Sequence, residues 1–304
     1  MSKKIVSFFL ALVMICLSFL PGNFSIFEIT ANASQENLFS TADTIITQIK
    51  ESDDLIHETD LLVWDGKTKT APKAGDGSKE NPYEISTAVE LAWYANKVNT
   101  GNSSSNSSNR KLCAKLVNDI DLGGHNWYSF RIGQSWYFAG TFDGQGHIIY
   151  NLYSETDKND QGGLFGNAGL TSSPALIKNI KFVNARVVSN YSGSSMGTGR
   201  TGIVCGSLFY SGSTIENVSV SGTITLGAQD CNVIAAGSIA GHLDRGTIRN
   251  CYSDVTIDLT KSKNLRTSYA YGASNSLKEG TGGIVGTWMS SSENGSYIEN
   301  CTFA

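Results

Sequence analysis

Three carboxylates are the residues best placed to do chemistry. Asp119 and Asp121 flank Ile120, and Asp143 opens the turn Asp143-Gly144-Gln145-Gly146. Residues two apart on a strand share a face. A lyase or glycosidase needs such paired acids for proton transfer around a glycosidic bond. The competing role is structural, because Asp beside Gly commonly bonds the amides of its own turn. That second role is the one adopted, and no catalytic residue is assigned. A zinc peptidase needs His-Glu-x-x-His, but His57-Glu58 runs on into Thr59-Asp60-Leu61. No Gly-x-Ser-x-Gly elbow occurs, and His125, His147 and His242 stand apart. Asp76-Gly77-Ser78-Lys79-Glu80 alternates oxygen ligands but lacks the calcium-loop spacing. No cofactor or metal is expected, and the chain reads as a non-enzyme. Binding is the alternative chemistry. Trp136 and Tyr137 lie in a loop, and Trp288 follows a glycine-rich turn, so these three are the candidate contacts to a sugar or a partner protein.

The elements that would carry these residues come from a repeat. Phe138 to Leu152 sets the pattern, and weaker copies follow. Its turn returns as Gly162-Gly163-Leu164-Phe165-Gly166, Gly202 to Gly206, Gly237 to Gly241, and Gly282-Gly283-Ile284-Val285-Gly286. An apolar-x-Asn-apolar segment returns around Asn179, Asn217, Asn250 and Asn300, with Asn151 as the earliest version. A unit of about 30–50 residues means a solenoid or an array. Pairs such as Ile180-Phe182 and Val218-Val220 alternate with period two, as strands do. No long helical stretch separates them, so a βαβ sheet is excluded. The expected fold is all-β: a parallel β-helix with an N-terminal helical cap. Gly163, Gly166, Gly202, Gly206, Gly237, Gly241, Gly283 and Gly286 would make corners by positive φ or close backbone approach. The asparagines would occupy equivalent turns and stack as a ladder. Insertions at Ser189–Arg200, Gly227–Cys231 and Leu259–Gly280 would be loops on one face.

Residues 1–33 read as a signal peptide, with Lys3 and Lys4 before an apolar run and Ala31-Asn32-Ala33 as the cleavage site. Residues 34–80 form a helical and loop leader, with Leu38, Ala42, Ile45 and Ile49 at helical spacing and Leu61 to Gly66 as a short strand. Residues 81–304 are the capped solenoid. Thr87-Ala88-Val89-Glu90 is a capping box opening the cap helix, which should end near Asn99-Thr100-Gly101. Leu112 to Leu122 is the expected first strand pair.

Composition narrows the class. The 304 residues are 40% hydrophobic and 16% charged, with 32 Gly and 4 Pro, which suits a turn-rich β protein. Losing residues 1–33 leaves 21 basic against 26 acidic residues. With no Lys/Arg cluster, nucleic acid is excluded as a partner. No stable membrane span is expected after cleavage. Export would permit disulfides. Five cysteines remain (Cys113, Cys205, Cys231, Cys251 and Cys301). Cys205 and Cys231 are expected to pack as small hydrophobes. Cys251 and Cys301 share one repeat position, close enough for a bridge but with awkwardly parallel side chains.

Gly163-Leu164-Phe165-Gly166 followed by Ile177-Lys178-Asn179-Ile180 resembles the GLUG repeat of bacterial surface proteins, including the non-catalytic region of some immunoglobulin A metallopeptidases. Asn81 to Ile85, Asp119 to Leu122 and Gly140 to His147 match the same setting, so the resemblance covers roughly residues 64–304. It implies a right-handed parallel β-helix at the cell surface and carries no catalytic residues. The functional expectation is a secreted or cell-surface adhesion module presenting loops to a glycan or host protein, with end-to-end self-association open. A carbohydrate-active enzyme and a passive spacer of a longer protein are the alternatives.

Overall fold

A computed structural model of the chain describes residues 61–100, 108–134, 137–156, 161–190, 199–227, 234–262, 280–289 and 295–304. Asp60–Ala304 is one compact unit, and Met1–Thr59 is the other. The signal peptide, its cleavage site and the predicted helix on Leu38 to Ile49 lie outside the described residues.

Among its described residues the Asp60–Ala304 unit is mostly β-strand, and these strands form three sheets in which every neighbouring pair is parallel. None of the sheets closes on itself. Successive copies supply successive strands. One copy runs Gly199–Thr201, Cys205–Phe209, then Thr214–Leu226. The next runs Ile234–Gly237, Ala240–Asp244, then Thr247–Arg249 with Tyr252–Asp258. Each strand pairs with its counterpart, so identical repeat positions line up in columns. Phe142, Ile177, Ile215, Ile248 and Ile298 form one such column. Its first four members are fully buried, whereas Ile298 is 48% exposed on the last described rung. Each buried isoleucine contributes roughly 2–3 kcal/mol of apolar burial.

The turns hold these columns in step. Asn179, Asn217, Asn250 and Asn300 all have left-handed φ, between 51° and 56°, which Asn tolerates better than other side chains. Each Nδ2 donates to Oδ1 of the rung before: Asn217 to Asn179 (3.1 Å), Asn250 to Asn217 (3.2 Å) and Asn300 to Asn250 (3.3 Å). The chain of amides begins at Asp143, whose Oδ1 accepts from Asn179 at 2.9 Å. A carboxylate can only accept, so Asp suits the head of the ladder and would break its middle. Asn151 does not belong to this ladder. It donates to Asp121 (2.9 Å) and accepts from Asn184 (2.6 Å), forming a second, parallel ladder with the same logic. Asn184 lies where the pairing of Leu176–Ser189 with Thr214–Leu226 shifts register, so one extra residue there creates the second turn.

The glycine corners serve mainly for close approach. A Cβ on Gly241 would lie 2.3 Å from the Thr201 amide nitrogen, so the second and third sheets nest only because no side chain intervenes there. Gly163, at φ 120°, is the one corner among the predicted positions that needs glycine for its dihedral. Register pairs Gly237 with Gly282, not Gly283. A Cβ on Gly283 would instead meet the Phe303 ring.

The helix α1 (Ala88–Asn99) buries Leu91, Ala92, Tyr94, Ala95 and Val98 into the same core. Glu90 accepts from the amides of Ser86 and Thr87, which fastens its first turn. The Tyr94 hydroxyl donates to Leu112 O at 2.8 Å. Three expectations need correction. The first strand among the described residues is Tyr83–Ile85, upstream of Leu112. Ala114–Leu116 and Ile120–Asp121 pair with other copies instead of each other. Leu61 to Gly66 is not a strand but extended chain, held by the Trp64 amide on Asp121 O and by the buried Trp64 ring against Trp127 and Phe130. Segment 61–80 is therefore part of the body.

Substitution at the ladder's centre separates its two jobs. Asn217→Gly keeps the backbone but removes the amide, and should cost about 1 kcal/mol. Asn217→Ala removes both, and should cost about 2–3 kcal/mol. Urea unfolding of the two variants measures the difference.

Candidate functional site

The sequence's carboxylates are already engaged. Asp119 Oδ1 accepts from Ile148 N and lies 2.9 Å from His147 Nδ1. Asp121 Oδ1 accepts from Gly123 N as well as Asn151. Asp143 accepts from Gln145 N and pairs with Lys178 at 3.2 Å. These bonds hold its carboxyl below the usual range against the opposing effect of burial. All three sit in turns and ladders. Beside the Asn ladder lies a shallow groove of about 490 Å³, lined in part by Gln145, Asn179, Lys181, Asn217 and Ser219.

A different cluster gathers aromatic and cationic groups at the ends of the second-sheet strands. Phe209 closes Cys205–Phe209 and stands in register with Asp244. The next residues, Tyr210 and Arg245, both adopt left-handed φ, 70° and 61°. Such a φ is a genuine outlier for a bulky residue like Tyr. Tyr210 is held there because its amide donates to Asp244 O at 2.7 Å and its carbonyl accepts from Ser213 N. Arg245 is held by its amide on Ser296 Oγ. The Arg245 guanidinium lies 4.9 Å from the Tyr210 ring centre and grips Asp244 with two bonds of 2.9 Å. That pairing raises its pKa further. Tyr137 packs edge-on against Phe209 at 5.2 Å and reaches Tyr210 at 6.4 Å. Burial raises the Tyr137 pKa, with Tyr210 adding to it. The Arg200 guanidinium lies 5.5 Å from the Phe209 ring. Tyr137, Phe209, Tyr210 and Arg245 are each half-buried, presenting part of their surface to solvent.

Beneath Phe209 is a buried imidazole. His242 lies 5.5 Å from that ring and bonds Thr287 Oγ1 through Nδ1 at 2.8 Å. Thr287 Oγ1 in turn reaches Gly241 O at 3.4 Å. This assigns the proton to Nδ1 and leaves Nε2 as a buried acceptor without a partner among the described residues. Burial, aided by Arg200, lowers the His242 pKa to about 3.

Of the predicted contacts, Tyr137 falls in this cluster. Trp136 lies outside the described residues. The Trp288 backbone stands in register with Leu243. Phe209, Tyr210, Arg200 and Arg245 were not singled out from sequence. Aligning the glycine copies would have placed Phe209-Tyr210 over Asp244-Arg245, but nothing in the letters announces their backbone conformation. The arrangement offers ring faces and a compensated guanidinium, which suits stacking on a sugar or an apolar side chain.

No family model matches the chain. It is 29% identical over 172 residues to halomucin of Haloquadratum walsbyi, a match covering 53% of this chain. The chain spans about 2% of that protein's length. Among solved structures it is similar to a Bacteroides ovatus protein provisionally described as an immunoglobulin A1 protease, with 21% identity and a TM-score of 0.44. That similarity covers 76% of this chain and 77% of the other. No helix among the described residues is long and apolar enough to cross a membrane.

The His242 environment makes an acid prediction. A folded-state pKa below the ordinary 6.5 means the unfolded chain binds the proton more tightly. This stability is fully present above pH 6.5 and is lost as pH falls toward 3, by roughly 5 kcal/mol in all at about 1.4 kcal/mol per unit. Urea unfolding at pH 7 and pH 4 should therefore differ less for His242→Asn than for the parent chain.

Proposed function

We propose that the chain is an exported surface module whose GLUG-like copies coil into a right-handed parallel β-helix, capped by α1, and that it binds a glycan. The observation that carries the binding reading is the Tyr137–Phe209–Tyr210 cluster beside Arg245. Two bulky side chains are fixed there in left-handed backbone that the turns must sustain against local strain. The rings of Tyr137, Phe209 and Tyr210 remain partly open to solvent. The Arg245 charge is matched by Asp244, so the surface favours a neutral, hydroxylated ring over a strongly anionic ligand. The N-terminal Lys3-Lys4 and apolar run support export, and the in-register pairing of successive copies supports the coil.

An array of immobilised neutral glycans, probed with the chain, tests this. Saturable binding is expected, weakened about tenfold by Tyr137→Ala or Tyr210→Ala, with circular dichroism unchanged. Absence of binding to any neutral glycan, or binding indifferent to both substitutions, would contradict the proposal.

A further inference from the structure

Cys251 and Cys301 directly follow the ladder residues Asn250 and Asn300, so the device that registers the turns also registers two thiols. Tyr252 pairs with Thr302, and the Thr302 amide donates to Cys251 O at 2.9 Å. The two side chains adopt matching positions one rung apart. Cys251 Sγ lies 3.3 Å from Arg249 O and 4.0 Å from Ile215 O. Cys301 Sγ lies 3.3 Å from Glu299 O and 3.7 Å from Ile248 O. Both thiols are free, and Cys301 adds to the burial that raises the Cys251 pKa. Earlier rungs fill this core column with Ile180 and Val218. Aliphatic side chains suffice there, so packing alone does not call for sulfur on the last two described rungs.

The last described rung also exposes apolar side chains. Tyr297–Glu299 and Thr302–Phe303 each pair with a single strand among the described residues. Tyr297, Ile298 and Phe303 are 54%, 48% and 46% exposed. A bond from Cys301 back to Cys251 would hold this rung directly.

We propose that Cys251 and Cys301 form a reversible disulfide staple that fastens the rung Tyr297–Phe303 to the rung before it. Neighbouring parallel strands stand about 4.8 Å apart, inside the Cα separation a disulfide accepts. Parallel side chains put the Cβ atoms slightly too far apart, by roughly half an ångström. The strands Tyr297–Glu299 and Thr302–Phe303 are short, and a small shift of either closes that gap. The oxidant is a small-molecule disulfide. Cys301, the more exposed thiol, reacts first as its thiolate and attacks one sulfur of the oxidant, releasing one thiol and leaving a mixed disulfide. Cys251 then loses its proton and attacks the Cys301 sulfur, releasing the second thiol. Two protein thiols become one disulfide while one oxidant disulfide becomes two thiols. Burial keeps Cys251 protonated in the resting state, with its pKa pushed up to about 12, so the second step is the slow one. This inference is independent of glycan binding.

The test treats the full folded chain with glutathione disulfide, alkylates remaining thiols, and maps the digest by mass spectrometry. The expected product is a peptide pair linked through Cys251 and Cys301, absent from Cys301→Ser and restored to free thiols by dithiothreitol. Hydrogen exchange at the Thr302 amide should slow at least tenfold in the oxidised chain and stay unchanged in identically treated Cys301→Ser. Alkylation of both cysteines after treatment would overturn the proposal, as would a persistent glutathione adduct on Cys301 or a link to another cysteine. A Cys251–Cys301 link without added protection of the last rung would overturn the staple. Should Cys301→Ser fail to fold, Cys301→Val, matching the aliphatic column, replaces it.

Discussion

The left-handed asparagine is the constraint on which the remaining structure depends. A chain that pairs each repeat in parallel with the next must turn at the same place on every rung. Four asparagines at φ near 55° make that turn, and their side-chain amides tie each turn to the previous one. Each bond is partly solvent-exposed and contributes modestly, about 1 kcal/mol. Its larger effect is on register. A slip of one residue would move Ile177, Ile215 and Ile248 from the core to the surface, and it would also break the ladder. Apolar burial and polar stacking therefore select the same alignment.

The ladder has a direction, and the direction explains the placement of aspartates. Every Nδ2 points toward the chain start, so the first member needs only to accept. Asp143 heads one ladder and Asp121 heads the other. Two of the residues that most resembled a catalytic set thus terminate ladders, bonded also to turn amides or to Lys178, and the third, Asp119, is bonded to the Ile148 amide and lies against His147. The same geometry puts chemistry elsewhere. Close nesting at Gly241 brings Thr201 against the second sheet, and the turns beyond that sheet carry Tyr210 and Arg245 outward.

Much of the architecture was legible because it repeats. The glycine corners, the Asn turns and the alternation of Ile180-Phe182 with Val218-Val220 are periodic signals, and the Thr87–Glu90 start of α1 is a local one. Features that occur once were not legible. Asn184 looks like any surface asparagine until a register shift gives it a left-handed turn and a partner in Asn151. Tyr83–Ile85 is a strand because α1 and Ala114–Leu116 cover it, and three residues carry no period of their own. Leu61 to Gly66 has strand composition, but the Trp64 ring fixes it by burial. The aromatic cluster depends on the backbone of Tyr210, a tertiary property set by its bond to Asp244 O.

The central claim is that the copies stack in sequence order, in parallel and in register. Nuclear Overhauser effects between labelled isoleucine δ1 methyl groups test it most directly. The account predicts contacts from Ile177 to Ile215, from Ile215 to Ile248 and from Ile248 to Ile298, with none from Ile177 to Ile248. A direct Ile177–Ile248 contact, or the absence of the stepwise series in a folded chain, would contradict it.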